Sequence, residues 1–311
     1  MIPRTAADQR TIGQRFVRYG YAPFMLLGLN GTAIALGAAD APKYVLVAVL
    51  AVAILASFGA ERVIPYDPKW NSDQSDSVRD RWHAAVNESL ILLSVAAIPL
   101  LAAIAPDVGW WPSSSPFVVQ VVIAILAADL GITLVHLASH RVGFLWRFHA
   151  VHHSVTRFYG LNGLMKHPLH QTVEMAAGVA PLVLLGIPVD VAAVLATATA
   201  VQLLVQHSNA DYRVGPLNRV LALNEGHRFH HLKWAGVGDV NFGLFTLIWD
   251  HLLRTYSYDR DRRFSSADLG MAAKPHYPSG YLKQLVYPFT SSGRCQFGTA
   301  VVPAPARDQP R

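Results

Sequence analysis

Apolar and polar positions follow one another along this chain in long blocks. Residues 21–38, 44–60, 84–105 and 116–137 are four runs almost free of charge, and residues 171–206 are a fifth, broken at Ile187, Pro188, Val189 and Asp190. About 20 apolar residues in a helix cross roughly 30 Å of hydrocarbon, where every backbone polar group must be satisfied within the chain. The pattern therefore predicts an all-α polytopic membrane helical bundle. It has about four spans plus a short helical hairpin at 171–206, each half a short span or half of a re-entrant pair. Connectors are expected at 39–43 and 106–115, the second carrying Trp110 and Trp111, which suit the aromatic belt at a membrane surface. The later run NFGLFTLIWDHLL, 241–253, reads as amphipathic.

Composition agrees with the blocks. The 311 residues are 52% hydrophobic and 15% charged, whereas soluble domains carry about 25% charged residues. The single cysteine, Cys295, excludes a disulfide framework and a cysteine-based zinc or iron–sulfur site. No signal-peptide pattern precedes the first run. The net charge of +6 would suit nucleic acid, but its placement suits topology instead. With residues 1–20 in the cytoplasm, the outer loops hold only Lys43 of the 26 Lys and Arg. The positive-inside rule then puts both termini, and the polar segments after each return, on the cytoplasmic side. The expected organisation is an N-terminal segment 1–20, one membrane-embedded domain 21–301, and a Pro-, Ala- and charge-rich tail 302–311 of disordered composition.

Chemistry is concentrated in histidine. Eight of the 14 histidines fall in three motifs: His136 and His140; His149, His152 and His153; and His227, His230 and His231. Spacings of three and four put each set on one stripe of a helix. Neutral imidazole suits iron, zinc, copper and nickel, and eight such rings are too many for one four-coordinate site. They fit two metals sharing one pocket, a di-metal cap on the cytoplasmic side. Asp129 lies two turns deeper than His136 inside a span, where an ionisable residue is a functional candidate. It is expected to accept an N–H from a ligand imidazole. Isolated His83, His251 and His276 read as core or interfacial residues.

HLASH, HAVHH and HRFHH behind apolar spans resemble the fatty acid hydroxylase and sterol desaturase superfamily of membrane histidine-rich di-iron oxygenases. LWRFHAVHHS resembles its central motif, and NFG and WDHLLRTY its closing signature; the likeness covers about 84–256. His207-Ser208-Asn209 resembles its HSN element, which makes His207 a ninth ligand. The chain departs from the family at the opening motif, where His136 is followed by Leu137. It departs again at MKHPLH, where His167 and His170 are candidate additional ligands.

The resemblance implies two iron ions, with zinc able to replace them in purified protein because imidazole sites prefer it in raw affinity. It implies O₂ and a lipid substrate of fatty acyl, sterol, carotenoid or sphingoid type. It also implies a separate electron donor of ferredoxin, rubredoxin or cytochrome b5 type, in what reads as a bacterial inner membrane. The expected reaction is hydroxylation of an unactivated C–H bond. Desaturation or bond cleavage at the same site is the alternative, and a non-redox histidine-rich metal-binding membrane protein is the reading from another class. Transporter ligands would lie near the bilayer midplane on broken helices, whereas these lie at span ends. A lipid channel is expected between the third and fourth spans and the hairpin, lined by small residues such as Ala127, Ala128, Ala177 and Gly178.

Overall fold

The computed structural model describes residues 10–104 and 109–290; the 302–311 tail lies outside them. The described residues are helices and loops with three isolated β-bridges. Five helices are long and apolar enough to cross a membrane: Ile12–Ala38, Tyr44–Val63, Ser77–Leu101, Phe117–Arg141 and Val189–His207.

The first span comprises α1 (Ile12–Pro23), a π-helical turn and α2 (Asn30–Ala38). It starts ahead of Tyr21 because Thr11 caps it: the Thr11 hydroxyl accepts from Gln14 N, and the Gln14 side chain accepts from Thr11 N. The helix thus starts at Ile12, inside the expected N-terminal segment 1–20. The π turn follows Pro23, whose ring cannot continue a regular ladder. Next come α3 (Tyr44–Val63), α4 (Ser77–Ile104) and α5 (Phe117–Arg141).

The hairpin is α7 (Pro168–Leu184) and α8 (Val189–His207), separated from α5 by α6 (Gly143–His153). Its two halves are unequal. The most apolar window of α8 is 83% buried, against 22–39% for the other four spans, so α8 is the post around which the bundle packs. Its Thr197 and Thr199 hydroxyls donate to carbonyls one turn back. Its Gln202 and Gln206 amides donate to Ala222 and Gly243 carbonyls, tying later loops to it.

α7 packs closely on α5. A Cβ on Gly131 would stand 2.2 Å from the Ala177 carbonyl oxygen, so two backbones meet there as small residues allow. This closes the place where Ala177 and Gly178 were expected to line a channel, and Ala127 is exposed on the outer surface.

The loop after α6 is pinned to the starts of α4 and the end of α3. Arg157 pairs with Asp76 through two bonds of 2.9 and 2.7 Å, Tyr159 donates to Asp80, and Gly160 N donates to Glu61. The last helices are α9 (Asn224–His230), α10 (Ile248–Leu253) and α11 (Tyr281–Thr290). Residues 241–247 are loop and not the start of an amphipathic helix, because their N–H groups are taken elsewhere. Phe242 and Gly243 donate to Asp250, and Leu244, Phe245 and Thr246 donate to Asp129.

Candidate metal centre

The three motifs converge where α5, α6, α8 and α9 end. All nine histidines of the expected set are buried, and they form two groups. His136, His140, His149, His153 and His230 are one; His152, His207, His227 and His231 are the other. The two HxxHH motifs are divided reciprocally. His149 and His153 of α6 join the first group while His152 joins the second; His227 and His231 join the second while His230 joins the first. Helix geometry causes this: at 100° per residue, i and i+4 lie about 40° apart, and i+3 points to the other side of i.

Within each group the Nε2 atoms face one another. His153 Nε2 lies 3.1 Å from that of His140 and 3.0 Å from those of His149 and His230; His136 and His230 are 2.9 Å apart. In the second group His227 Nε2 is 3.0 Å from those of His207 and His231, and His152 is 3.4 Å from His207. A ring nitrogen holds at most one hydrogen, so His153 cannot bond to three others at once. A cation held between the rings would resolve the convergence. At a metal–nitrogen distance of ~2.1 Å, two ligands at a right angle lie about 3.0 Å apart.

The other ring nitrogens show which tautomer is held. Nδ1–H of His136 donates to Phe242 O and that of His230 to Val240 O, both at 2.8 Å; His152 and His207 donate to Met165 O and Leu203 O. His140 Nδ1 meets the Asp239 carboxylate at 2.8 Å. A carbonyl can only accept, so the Nε2 lone pairs are free for a metal. Burial, then the neighbouring imidazoles, hold His149, His152, His153, His227 and His231 well below the usual 6.5, in the neutral form that ligates. Burial and His140 do the same to His230.

Two expectations change, for Asp129 and His167, while His170 keeps a metal-binding setting of its own. Asp129 meets no ligand imidazole: its carboxylate accepts the N–H groups of Leu244, Phe245 and Thr246 and the Thr246 hydroxyl. It therefore acts on the loop whose Phe242 carbonyl anchors His136. His167 is not a ligand, since Nδ1 accepts from Leu169 N as a helix cap and Nε2 faces Leu285 O. His170 belongs to neither group. It joins His149 and Glu174, each offering one ligand atom within 4.8 Å of the others.

Sequence reasoning passed over Glu174, Asp239 and Asp250. Glu174 follows His170 at i+4, the same spacing that marked His136 and His140; Asp250 lies in WDHLLRTY without being singled out there, and Asp239 carried no local signal. His83 sits buried between Lys166 O and Gln284, and His251 and His276 are exposed.

An apolar groove of about 700 Å³ runs between α4 and α7, past Leu93, Ala97, Leu101, Ala176 and Val183. Gln171 stands on its wall next to His170, whose ring centroid is 4.5 Å from that of His149. A smaller cavity lined by Ala128 and Ile132 lies behind it and shares Ser94, Ile98, Met175 and Val179 with it.

Residues 121–255 match the Fatty acid hydroxylase family. The ornithine lipid hydroxylase OlsE of Rhizobium tropici is 34% identical over 252 residues, 78% of this chain and 74% of that protein. The chain belongs to the fatty acid hydroxylase family. Alkylglycerol monooxygenases of the same superfamily are also similar: that of Danio rerio is 29% identical over 140 residues, and that of Homo sapiens 27% over 139. In each case the match covers 45% of this chain and 31% of the monooxygenase. No solved structure matches the chain. The family match contains every motif histidine from His136 to His231, and with five apolar helices the chain is an integral membrane member of the family.

Proposed function

We propose that this protein is a lipid hydroxylase that binds two iron ions and inserts one oxygen atom from O₂ into a C–H bond of an ornithine-type aminolipid. The observation that carries this reading is the pair of interlocked histidine groups beside the inner part of an apolar groove. The relative aligned over most of both chains, an ornithine lipid hydroxylase by name, supports the substrate class.

His136, His140, His149, His153 and His230 would hold one ion, and His152, His207, His227 and His231 the other. Bound iron supplies the redox chemistry by which O₂ is activated. The balance is R–H + O₂ + 2e⁻ + 2H⁺ → R–OH + H₂O, with electrons from a separate carrier of ferredoxin, rubredoxin or cytochrome b5 type.

The chain's own residues do the rest. Carbonyls of Phe242, Val240, Met165 and Leu203, with the Asp239 carboxylate, fix five imidazoles in orientation. Asp129 and Asp250 keep the 242–246 loop in place behind His136. The groove takes an acyl chain from the bilayer and aligns it along α4 and α7, and the buried cap keeps water from the reacting carbon. The Lys and Arg distribution supports a centre on the cytoplasmic side of the membrane, and a bacterial inner membrane is part of the proposal.

Comparative lipid mass spectrometry of cells with and without the protein is the test. A gain of one oxygen in an aminolipid is expected. A loss of two hydrogens would replace hydroxylation with desaturation, and an unchanged lipidome would overturn both.

A further inference from the structure

A separate cavity, of about 370 Å³, opens beside α9 and shares no lining residue with the groove. Tyr66, Arg213, Arg228, Arg260, Arg262 and Arg263 stand on its wall. Arg228 is its floor. That side chain lies within HRFHH and is 2% exposed. Its guanidinium stacks 3.8 Å over the Tyr66 ring, Nη2 donates to Ser208 O, and Nε has no partner.

Among the described residues no carboxylate forms an ion pair with Arg228. A buried cation without a counter-charge is costly, and the usual remedy is an anion. Asp211, whose charge also acts on Arg228, is held by Arg10, Arg18 and Arg213, and the other carboxylates nearby are committed or at the rim. Glu225 pairs with Arg213 and accepts from Asn218 and Tyr258; Asp268 pairs with Arg262; Asp259 and Asp261 are exposed. Arg260 and Arg263 remain, both exposed, with Arg263 also 5.0 Å from the Tyr66 ring.

We propose that this cavity is an oxyanion site that binds a phosphate group, with Arg228 as its floor and Arg260 and Arg263 closing on it from the rim. Guanidinium groups present several N–H donors in a plane and match phosphate oxygens two at a time. The cavity is large enough for a phosphate-bearing headgroup. Its position brings both a membrane and a soluble source within reach: Arg213 N donates to the Arg18 carbonyl of the first span, while the rim is open to solvent. Arg228 adjoins the histidine centre in sequence, but none of the nine histidines lines the cavity, so the proposal does not depend on the reaction assigned above.

The test is titration calorimetry of the purified full chain with inorganic phosphate, in phosphate-free detergent. Saturable binding at one site per chain is expected. Arg260→Gln and Arg263→Gln, both on exposed side chains, weaken it at least about tenfold each. Arg81→Gln, at an exposed arginine elsewhere, leaves it unchanged. Nanodiscs then separate the sources. Weaker apparent phosphate affinity in phosphatidylglycerol than in phosphatidylcholine discs assigns the site to a lipid headgroup, and equal affinity in both assigns it to soluble phosphate. Heats that do not saturate, or that saturate alike in wild type and the Arg260 and Arg263 variants, overturn the proposal.

Discussion

Asp129→Asn separates a residue that holds the loop from one that holds the metal. The native carboxylate takes three backbone N–H groups and one hydroxyl, all within 2.8–3.0 Å. An amide has one oxygen. Placed where Oδ1 stands, it keeps Leu244 and Phe245, but its NH₂ then faces Thr246 N–H. The Thr246 hydroxyl can turn to accept, so one buried donor is stranded at about 1–3 kcal/mol, and two charge-assisted bonds become neutral at about 1 kcal/mol each. Relief of burying a charge offsets part of this, leaving roughly 2–4 kcal/mol against the closed loop. Amide exchange reports that quantity directly, because local opening sets the rate. Peptides covering 242–246 should exchange about 30- to 1000-fold faster in the variant, at 1.36 kcal/mol per tenfold. His136 loses a fixed Phe242 carbonyl, so iron affinity should fall by about 10–100-fold. Unchanged exchange with full iron would refute the role given to the carboxylate. Faster exchange with full iron would refute the link from loop to His136.

His152→Ala leaves three nitrogens in its group, whereas His230→Ala leaves four in the other. Both should abolish turnover, with iron per chain dropping further in His152→Ala by elemental analysis; full activity in both would dissolve the assignment. Gly131→Ala should cost about 1–3 kcal/mol by overpacking and lower the melting temperature, while Gly59→Ala, with nothing within 4 Å of its Cβ, should not. Ala176→Phe, on the groove wall, should shift turnover toward shorter acyl chains with metal content intact, and an unaltered product series would remove the groove from the reaction. Metal-free protein should lose stability as pH falls below about 6.5. The folded state holds its α6 and α9 imidazoles neutral while the unfolded chain takes up protons, so stability is full above that pH and declines below it. A melting temperature that is flat or rises between pH 7.5 and 5.5 would contradict this.

The spans were legible because a bilayer rewards composition alone: runs at 44–60, without a charge, and 116–137, with only Asp129, leave the chain little choice. The rank of the helices was not. α8 reads as half of a broken hairpin, and only the folded bundle reveals it as the post, since its Ala, Thr and Val side chains would serve equally on a lipid face. The nine histidines were legible from type and spacing, helped by the likeness at His207. Their division into two groups follows from 100° per residue, yet a stripe drawn through His149, His152 and His153 hides it. Asp129 was noticed for its depth, but its partners lie more than 100 residues away in a loop whose sequence reads as part of an amphipathic run. The expected channel failed at Ala177 and Gly178 because small residues leave room for a chain or for another helix, and here α5 takes the room.

The exchange of histidines between the two HxxHH motifs has a consequence for biosynthesis. The first group waits for His230 and the second for His227 and His231, all of them made after the last span. While the ribosome is still threading α1 to α8, neither cage has its last wall. A stray copper or zinc ion met at that stage finds scattered imidazoles and no finished cage. If each group holds an ion as proposed, neither ligand set is complete before α9 is in place, and loading would follow insertion.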